Sequence, residues 1–541
     1  MEFHSVVVLL AIAVACLLSG RTMIHYFQLE SYQFPGYFKS LRRHMPRVMI
    51  PGAILNLLWI GGAWLFASII PEGRVWLLSF CMCLLLISGG FGIRRLFLEK
   101  NEKKPLRMTP RLKRFYGISL IVFMCILMIC VHCVSAGGIK DLKLSIPFLL
   151  VALFPLFLPL WIALGGLVAW PVEKGISELY FRDAQRILNR RPDLIRIGIT
   201  GSWGKTSVKF ILGTLLEEKY HTLVTPASFN TPMGVTKVIR TQLEPGHRVF
   251  VSEMGARHVG DIREMCRLVH PALGIITSVG PQHLDTFKTL ERVKNTKYEL
   301  IEALPGSGTA FFSDDGGICR ELYEKTSVKK WISGIGPEGH DLWAEDIQMN
   351  GTGSHFTLCH GNQKTACETS LLGELNIRNI LLAASVCLEL GLSDRQIANG
   401  IRKLQPVEHR LQLISNPGGL SVIDDAFNCN ILGAEQALHV LKDFPGRRIV
   451  VTPGMVELGT QEAELNRQLG QQMSESCDTA ILVGEKRSIP IREGLLDKGF
   501  PETQIFVVTS LEEAQVWLRE NARSGDTVLF ENDLPDNYTE G

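Results

Sequence analysis

Net charge is nearly absent from this chain. The formal net charge is +2 over 541 residues, which leaves no electrostatic case for nucleic acid as the main partner. A disulfide framework is also missing. The thirteen cysteines are scattered through two regions of different character, which suits a reducing compartment. Cys130 and Cys133 flank His132 at a redox or metal spacing, but they sit in a greasy segment and read as small apolar filler. No Lys or Arg precedes the first apolar run and no small-x-small site closes it, so a cleaved leader is disfavoured. No Asp or Glu lies in the middle of any long apolar run, and proton relays and ion pathways usually rest on such groups. A transporter is therefore the weaker reading.

What is present divides near residue 171. A chain of this length exceeds what one core usually supports, and three or so domains are expected. The mean hydropathy of +0.16 is high for a soluble enzyme, and nearly all the excess lies in the first part. Runs near Val6–Gly20, Val48–Ile70, Val75–Ile93, Tyr116–Ala136 and Ile146–Trp170 are long enough to cross about 30 Å of hydrocarbon at 1.5 Å per residue. Five spans are expected, with four as the alternative.

The loops set the orientation. Arg21, Lys39, Arg42, Arg43 and Arg47 lie between the first two spans. Arg94, Arg95, Lys100, Lys103, Lys104, Arg107, Arg111, Lys113 and Arg114 lie between the third and fourth. The alternate loops hold only Arg74, then Lys140 and Lys143. By the positive-inside rule the rich loops and everything after Trp170 face the cytoplasm, where ATP is. The same basic loops would suit the headgroups of anionic membrane lipids.

From Arg196 the pattern alternates between strand and helix. Ile197–Thr200, Arg248–Val251 and Leu273–Thr277 read as buried strands, with Ser207–Leu216 and Ile377–Leu390 as helices. A second α/β rhythm begins near Leu411, with strands at Leu420–Asp424, Ile449–Thr452, Thr479–Val483 and Thr527–Phe530. The expected architecture is an α-helical membrane domain (1–172), a central α/β domain with a parallel sheet (173–410) and a Rossmann-like carboxy-terminal domain (411–541).

The most informative segment is Gly201-Ser202-Trp203-Gly204-Lys205-Thr206-Ser207, placed where a strand turns into a helix. Glycines there let backbone N–H groups approach phosphate oxygens, and the helix amino terminus adds positive potential. Lys205 would reach the β- and γ-phosphates, and the Thr206 hydroxyl would bind Mg²⁺. Position 199 is Ile, so the longer six-spaced pattern is not met and only Gly-x-x-Gly-Lys-Thr remains.

This loop resembles the ATP loop of Mur ligases, and further motifs follow in that family's order. Ser228-Phe-Asn-Thr-Pro-Met-Gly-Val235 is similar to the substrate-side loop. Ser252-Glu253-Met-Gly-Ala-Arg-His258 resembles the segment that makes Glu253 a Mg²⁺ ligand. Gln282-His283-Leu-Asp285 resembles the family's His-Leu, which implies that His283 binds a second Mg²⁺. Lys297 falls at the lysine that many members carbamylate. Asn376 and Asn379 fall in the adenine-contacting stretch, Arg410 at the interdomain arginine, and Asp425 at the ribose. The resemblance implies an ATP- and Mg²⁺-dependent ligase in bacterial cell-envelope synthesis, with Lys205, Lys297 and His283 as catalytic groups. It would join a small-molecule or lipid-linked carboxylate acceptor to an amine donor.

Two departures limit what carries over. Membrane spans occupy the place of the family's UDP-gripping amino-terminal domain, and the Lys-Gly-Ser-Arg stretch of the D-Ala-D-Ala-adding type is absent. Instead, Val528-Leu-Phe530 leads into Glu531-Asn532-Asp533 and on to Asn537-Tyr538, while Pro453-Gly454-Met-Val-Glu457-Leu-Gly459 has Gly where relatives have Asp. These positions would select the amine. A poly-γ-glutamate-type polymerising ligase and an ATP-gated transporter or scaffold are the competing functions.

Overall fold

A computed structural model describes residues 3–71, 74–97, 105–137, 153–227, 229–282, 284–350, 353–415, 419–426, 431–456, 458 and 461–532. The chain forms two compact units, Met1–Leu179 and Tyr180–Gly541.

Among the described residues, four helices are long and apolar enough to cross a membrane: Met45–Ile69, Val75–Leu96, Pro110–Gly137 and Leu158–Asn189. The first apolar run is not a simple span. Its helix stops at Ser19, and Arg21–Leu29 continues from it after a bend of 53°, so the count reaches five only if the bent pair is one crossing. The last helix also differs from expectation. It starts at Leu158, after a single turn at Phe154–Phe157, with Pro159 in its first turn, and runs on to Asn189. Proline is tolerated there because the first-turn N–H has no helical partner. Residues 146–152 of the expected span lie outside the described residues.

Polarity in the first unit is reversed on its outer faces. Leu57, Trp64, Trp76, Phe80, Leu84, Ile121 and Ile129 are each more than half exposed, an apolar surface of the kind that marks a membrane or protein contact. Inside, Phe27 meets Tyr37 with ring centroids 5.0 Å apart, and the Tyr37 hydroxyl donates to the Pro159 carbonyl at 3.0 Å. Glu173, which is buried, accepts two bonds from the Arg114 guanidinium, at 2.6 and 2.8 Å.

The second unit carries two sheets. The first is built from β1 (Ile195–Thr200), β2 (Thr222–Val224), β3 (Val249–Glu253), β4 (Leu273–Ile276), β5 (Thr309–Ser313), β6 (Lys329–Ile335), β7 (Leu342–Asn350), β8 (Gly353–His360) and β9 (Gln363–Thr369). Their order is β2-β3-β1-β4-β5-β6-β7-β8-β9. Strands through β7 pair in parallel, and β8 and β9 extend the sheet as antiparallel hairpins. The apolar β1 run pairs on both sides, Ile199 with Glu253 of β3 and with Ile275 of β4, so Ile197 and Ile199 are fully buried. The chain order reverses at β1, which puts the crevice at its carboxyl end, where parallel sheets bind ligands.

The second sheet contains β10 (Gln412–Ser415), β11 (Ser421–Asp425), β12 (Arg448–Thr452), β13 (Thr479–Val483), β14 (Ile505–Val508) and β15 (Thr527–Glu531), in the order β10-β11-β15-β12-β13-β14. All its pairs are parallel except β10 with β11.

Candidate nucleotide and catalytic site

The loop after β1 is held tightly. The Ser202 N–H donates to Ser278 O at 2.9 Å, the Ser202 hydroxyl bonds Gly280 O at 3.0 Å, and the Trp203 N–H donates to the Ser278 hydroxyl at 2.9 Å. Gly204 caps the helix Lys205–Leu216 at φ +80°, in the left-handed region, where a Cβ would lie 3.0 Å from Asn379 Oδ1. Glycine meets both demands at once. Gly280 allows a second close approach, since a Cβ there would lie 2.2 Å from the Trp203 ring.

The first turn of that helix presents the polar groups. Lys205 Nζ donates to Gly201 O at 2.7 Å and to Ser202 O at 3.0 Å. Burial draws its pKa down to about 8, with Glu253 opposing and Arg410 adding to the fall. The Thr206 hydroxyl lies 3.2 and 3.1 Å from the two Glu253 oxygens. Glu253 ends β3 at 1% exposure. Burial alone would raise its pKa, but Lys209 and Lys205 outweigh that and hold it below the ordinary value.

A cavity of about 270 Å³ gathers these groups. Ser202 to Ser207, Asn230, Glu253, Gln282, Lys297, Asn376 and Asn379 line it from the first sheet's side, and Arg410, Leu411, Asp425 and Gln436 line it from the second's. Arg410 Nη2 reaches Thr206 Oγ1 at 3.4 Å. Asp425 accepts from the Leu411 N–H at 3.0 Å, and burial raises its pKa to about 6 against the pull of that bond and of Arg410. Lys297, on the helix Leu290–Glu302, is 4% exposed. Burial first, and Lys205 second, push its pKa well below the lysine range.

Comparison with known proteins decides what carries this cavity. Residues 199–387 match the Mur ligase middle domain, and residues 409–531 match the Mur ligase glutamate ligase domain. The UDP-N-acetylmuramoyl-tripeptide--D-alanyl-D-alanine ligase of Mycobacterium tuberculosis is 30% identical over 357 residues, covering 62% of this chain and 69% of that one. The chain belongs to the Mur ligase family. The enzyme of the same name from Bacillus subtilis is 28% identical over 336 residues, covering 62% of this chain and 72% of its own. MurF from Acinetobacter baumannii shares the fold, with TM-score 0.61 and 24% identity over 67% of this chain and 78% of that one. As a Mur ligase, the chain is an ATP-dependent enzyme that forms C–N bonds.

Of the residues singled out in this Mur ligase from sequence, Ser202, Trp203, Gly204, Lys205, Thr206, Ser207, Glu253, Lys297, Asn376, Asn379, Arg410 and Asp425 all line the one cavity. Gly201 stands just behind it, its carbonyl holding Lys205. His283 lies outside the described residues. The two segments expected to choose the amine meet: Asn532 Nδ2 donates to Gly454 O at 2.6 Å.

Sequence reasoning missed Lys209 and Gln436, and named Asn230 and Gln282 only as parts of motifs. Lys209 is fully buried and its Nζ lies 2.9 Å from Glu253 Oε2. The signal was there: it stands four residues after Lys205, on the same helical face, among Val208, Ile211 and Leu212.

Proposed function

We propose that this chain is a membrane-bound ligase that joins a carboxylate acceptor to an amine through an acyl phosphate, in bacterial cell-envelope synthesis. It would comprise a membrane domain (1–172), a central ATP-binding domain (173–410) and a carboxy-terminal domain (411–541), the last two facing the cytoplasm. One observation carries the reading: a single cavity brings the phosphate loop, Glu253 and Lys297 opposite Arg410 and Asp425.

In this reading the acceptor carboxylate attacks the γ-phosphorus of ATP and ADP leaves; the amine then attacks the acyl phosphate and phosphate departs. The chain supplies position and charge. Lys205 faces the β- and γ-phosphates, Asn376 and Asn379 the adenine, Asp425 the ribose, and Arg410 closes over the phosphates from the second sheet.

Mg²⁺ fits the residues present. Thr206 and Glu253 offer hard oxygens about 3 Å apart. Thr206 and Glu253 would hold one Mg²⁺ and His283 a second, and their charge would offset that on the phosphoryl group. Lys297 acts as a carbamate. A buried amine beside Lys205 is poorly placed as an ammonium, whereas a carbamate would place negative charge beside Lys205 and help to hold the second Mg²⁺ near His283.

The long apolar helices and the exposed apolar side chains on them support membrane attachment and favour a lipid-linked acceptor. The test is a screen of amine donors with the purified full-length protein, ATP and extract of its own membranes, read by mass spectrometry. An ATP-dependent mass gain of one amine residue is expected, and a ladder of repeated additions marks a polymerising ligase. No ATP-dependent amide with any donor would refute the reading.

A further inference from the structure

Lys209 has no place in the scheme above, yet few positions in the molecule are costlier for a charge. Its side chain is among the largest that are fully buried, on a helix whose neighbouring inward positions are apolar. Burying an ammonium is expensive unless it is paired, and a methionine of similar length would pack there without that cost. The reason for the charge lies at its tip. Nζ donates to Glu253 Oε2 at 2.9 Å and to the Ala227 carbonyl.

The other Glu253 oxygen, Oε1, accepts from Asn230 Nδ2 at 3.2 Å. Lys209 and Asn230 thus hold the carboxylate by separate oxygens, which prevents its rotation. Thr206 bonds both oxygens from the cavity side. If that hydroxyl turns away to a cation, the two-point hold remains. The segment after β2 is fastened to the same place: Thr225 Oγ1 accepts from the Glu253 N–H at 3.2 Å, and the Gly255 N–H donates to Asn230 O at 2.8 Å.

We propose that Lys209 is a positioning residue of the ligase reaction: it fixes the Glu253 carboxylate beside Thr206 and locks the segment bearing Ala227 to the nucleotide helix. This rests on the reading of the cavity as the site of ATP and Mg²⁺.

The experiment measures binding of a fluorescent ADP to the purified full-length protein in detergent, titrated with Mg²⁺, for Lys209→Met, Lys209→Arg and Lys205→Ala. Lys209→Met is expected to bind the nucleotide alone as the parent does but to need at least about tenfold more Mg²⁺ for tight binding, the usual range for losing a group that orients a metal ligand. A purely structural role would lower the melting temperature and leave the Mg²⁺ midpoint in place. Lys209→Arg keeps the charge, so it folds even where Lys209→Met does not. Its longer planar head cannot reproduce both bonds, and the midpoint is expected to move the same way. An unchanged midpoint in either folded variant overturns the proposal. Lys205→Ala is the control on the underlying reading: it should weaken ADP at every Mg²⁺ concentration, and no effect would reject the nucleotide site itself.

Discussion

Replacing Lys297 with alanine separates two physical pictures of the same buried side chain. As a plain amine, Lys297 would face Lys205 in a dry site, and its removal would relieve repulsion. Phosphoryl transfer would then hold steady or improve. As a carbamate, it contributes charge that orders the cations around the transferred phosphoryl group. Losing one such group costs about 3 kcal/mol of transition-state stabilisation, roughly 150-fold in rate. Folding responds differently. Truncation removes about three buried methylenes at about 0.8 kcal/mol each, a loss near 2.5 kcal/mol, partly offset because no amine remains to be desolvated. A protein stable by about 5–15 kcal/mol stays folded after such a loss, so turnover should fall about 150-fold in protein that still melts cooperatively. The assay is ADP release by Lys297→Ala, with thermal melting as the control. Formate or acetate should restore part of the rate by occupying the vacated space, and stripping CO₂ from the buffer should lower the parent's rate. Full activity in Lys297→Ala, or a rate insensitive to CO₂, would refute the carbamate.

Further outcomes follow from the same geometry. Lys205→Ala should lower ATP turnover by about 3 kcal/mol, roughly 150-fold, because no other residue of the loop brings a cation to the phosphates; steady-state kinetics on the folded variant will show it. Asp425 has its pKa raised by burial from 3.8 to about 6, so the folded state binds the extra proton between those values. That contribution to stability is present below pH 3.8 and lost as pH rises through 6. The ionised form needed at the ribose appears over the same window, so ADP affinity should strengthen across about pH 6, and Asp425→Asn should flatten the profile. Cysteine labelling of intact cells, on a cysteine-free background, should leave a probe at Ser327 untouched by an impermeant reagent; ready labelling would reverse the orientation.

The parts of this architecture that sequence revealed are those with local causes. The run Ile197-Gly-Ile-Thr200 is too apolar and short for anything but a buried strand, and the glycines after it have work that only glycine does. Four of the six strands of the second sheet announce themselves in the same way, whereas β10 and β14 do not. What stayed hidden depends on distant partners. Lys209 reads as an ordinary helical lysine until Glu253, 44 residues on, is placed against it. The β7–β9 extension is antiparallel and half exposed, so it lacks the continuous apolar runs of the central strands. The bend after Ser19 is equally hard to see along the chain: Gly20 leaves room for the distant Ile162 side chain, which a Cβ there would meet at 2.9 Å. Arg410 was legible only through the family resemblance, since folding alone brings it to Thr206, 204 positions away.

The central claim is that ATP cleavage in this cavity drives amide formation. The most direct test is the stoichiometry of ADP released to amide formed by the purified full-length protein, with membrane extract as acceptor and the donor found by screening. The account predicts one ADP for each new amide, none when acceptor or amine is withheld, and loss of both products together in Lys205→Ala. Amide formed without ADP, or equal ADP release with both substrates absent, would contradict it.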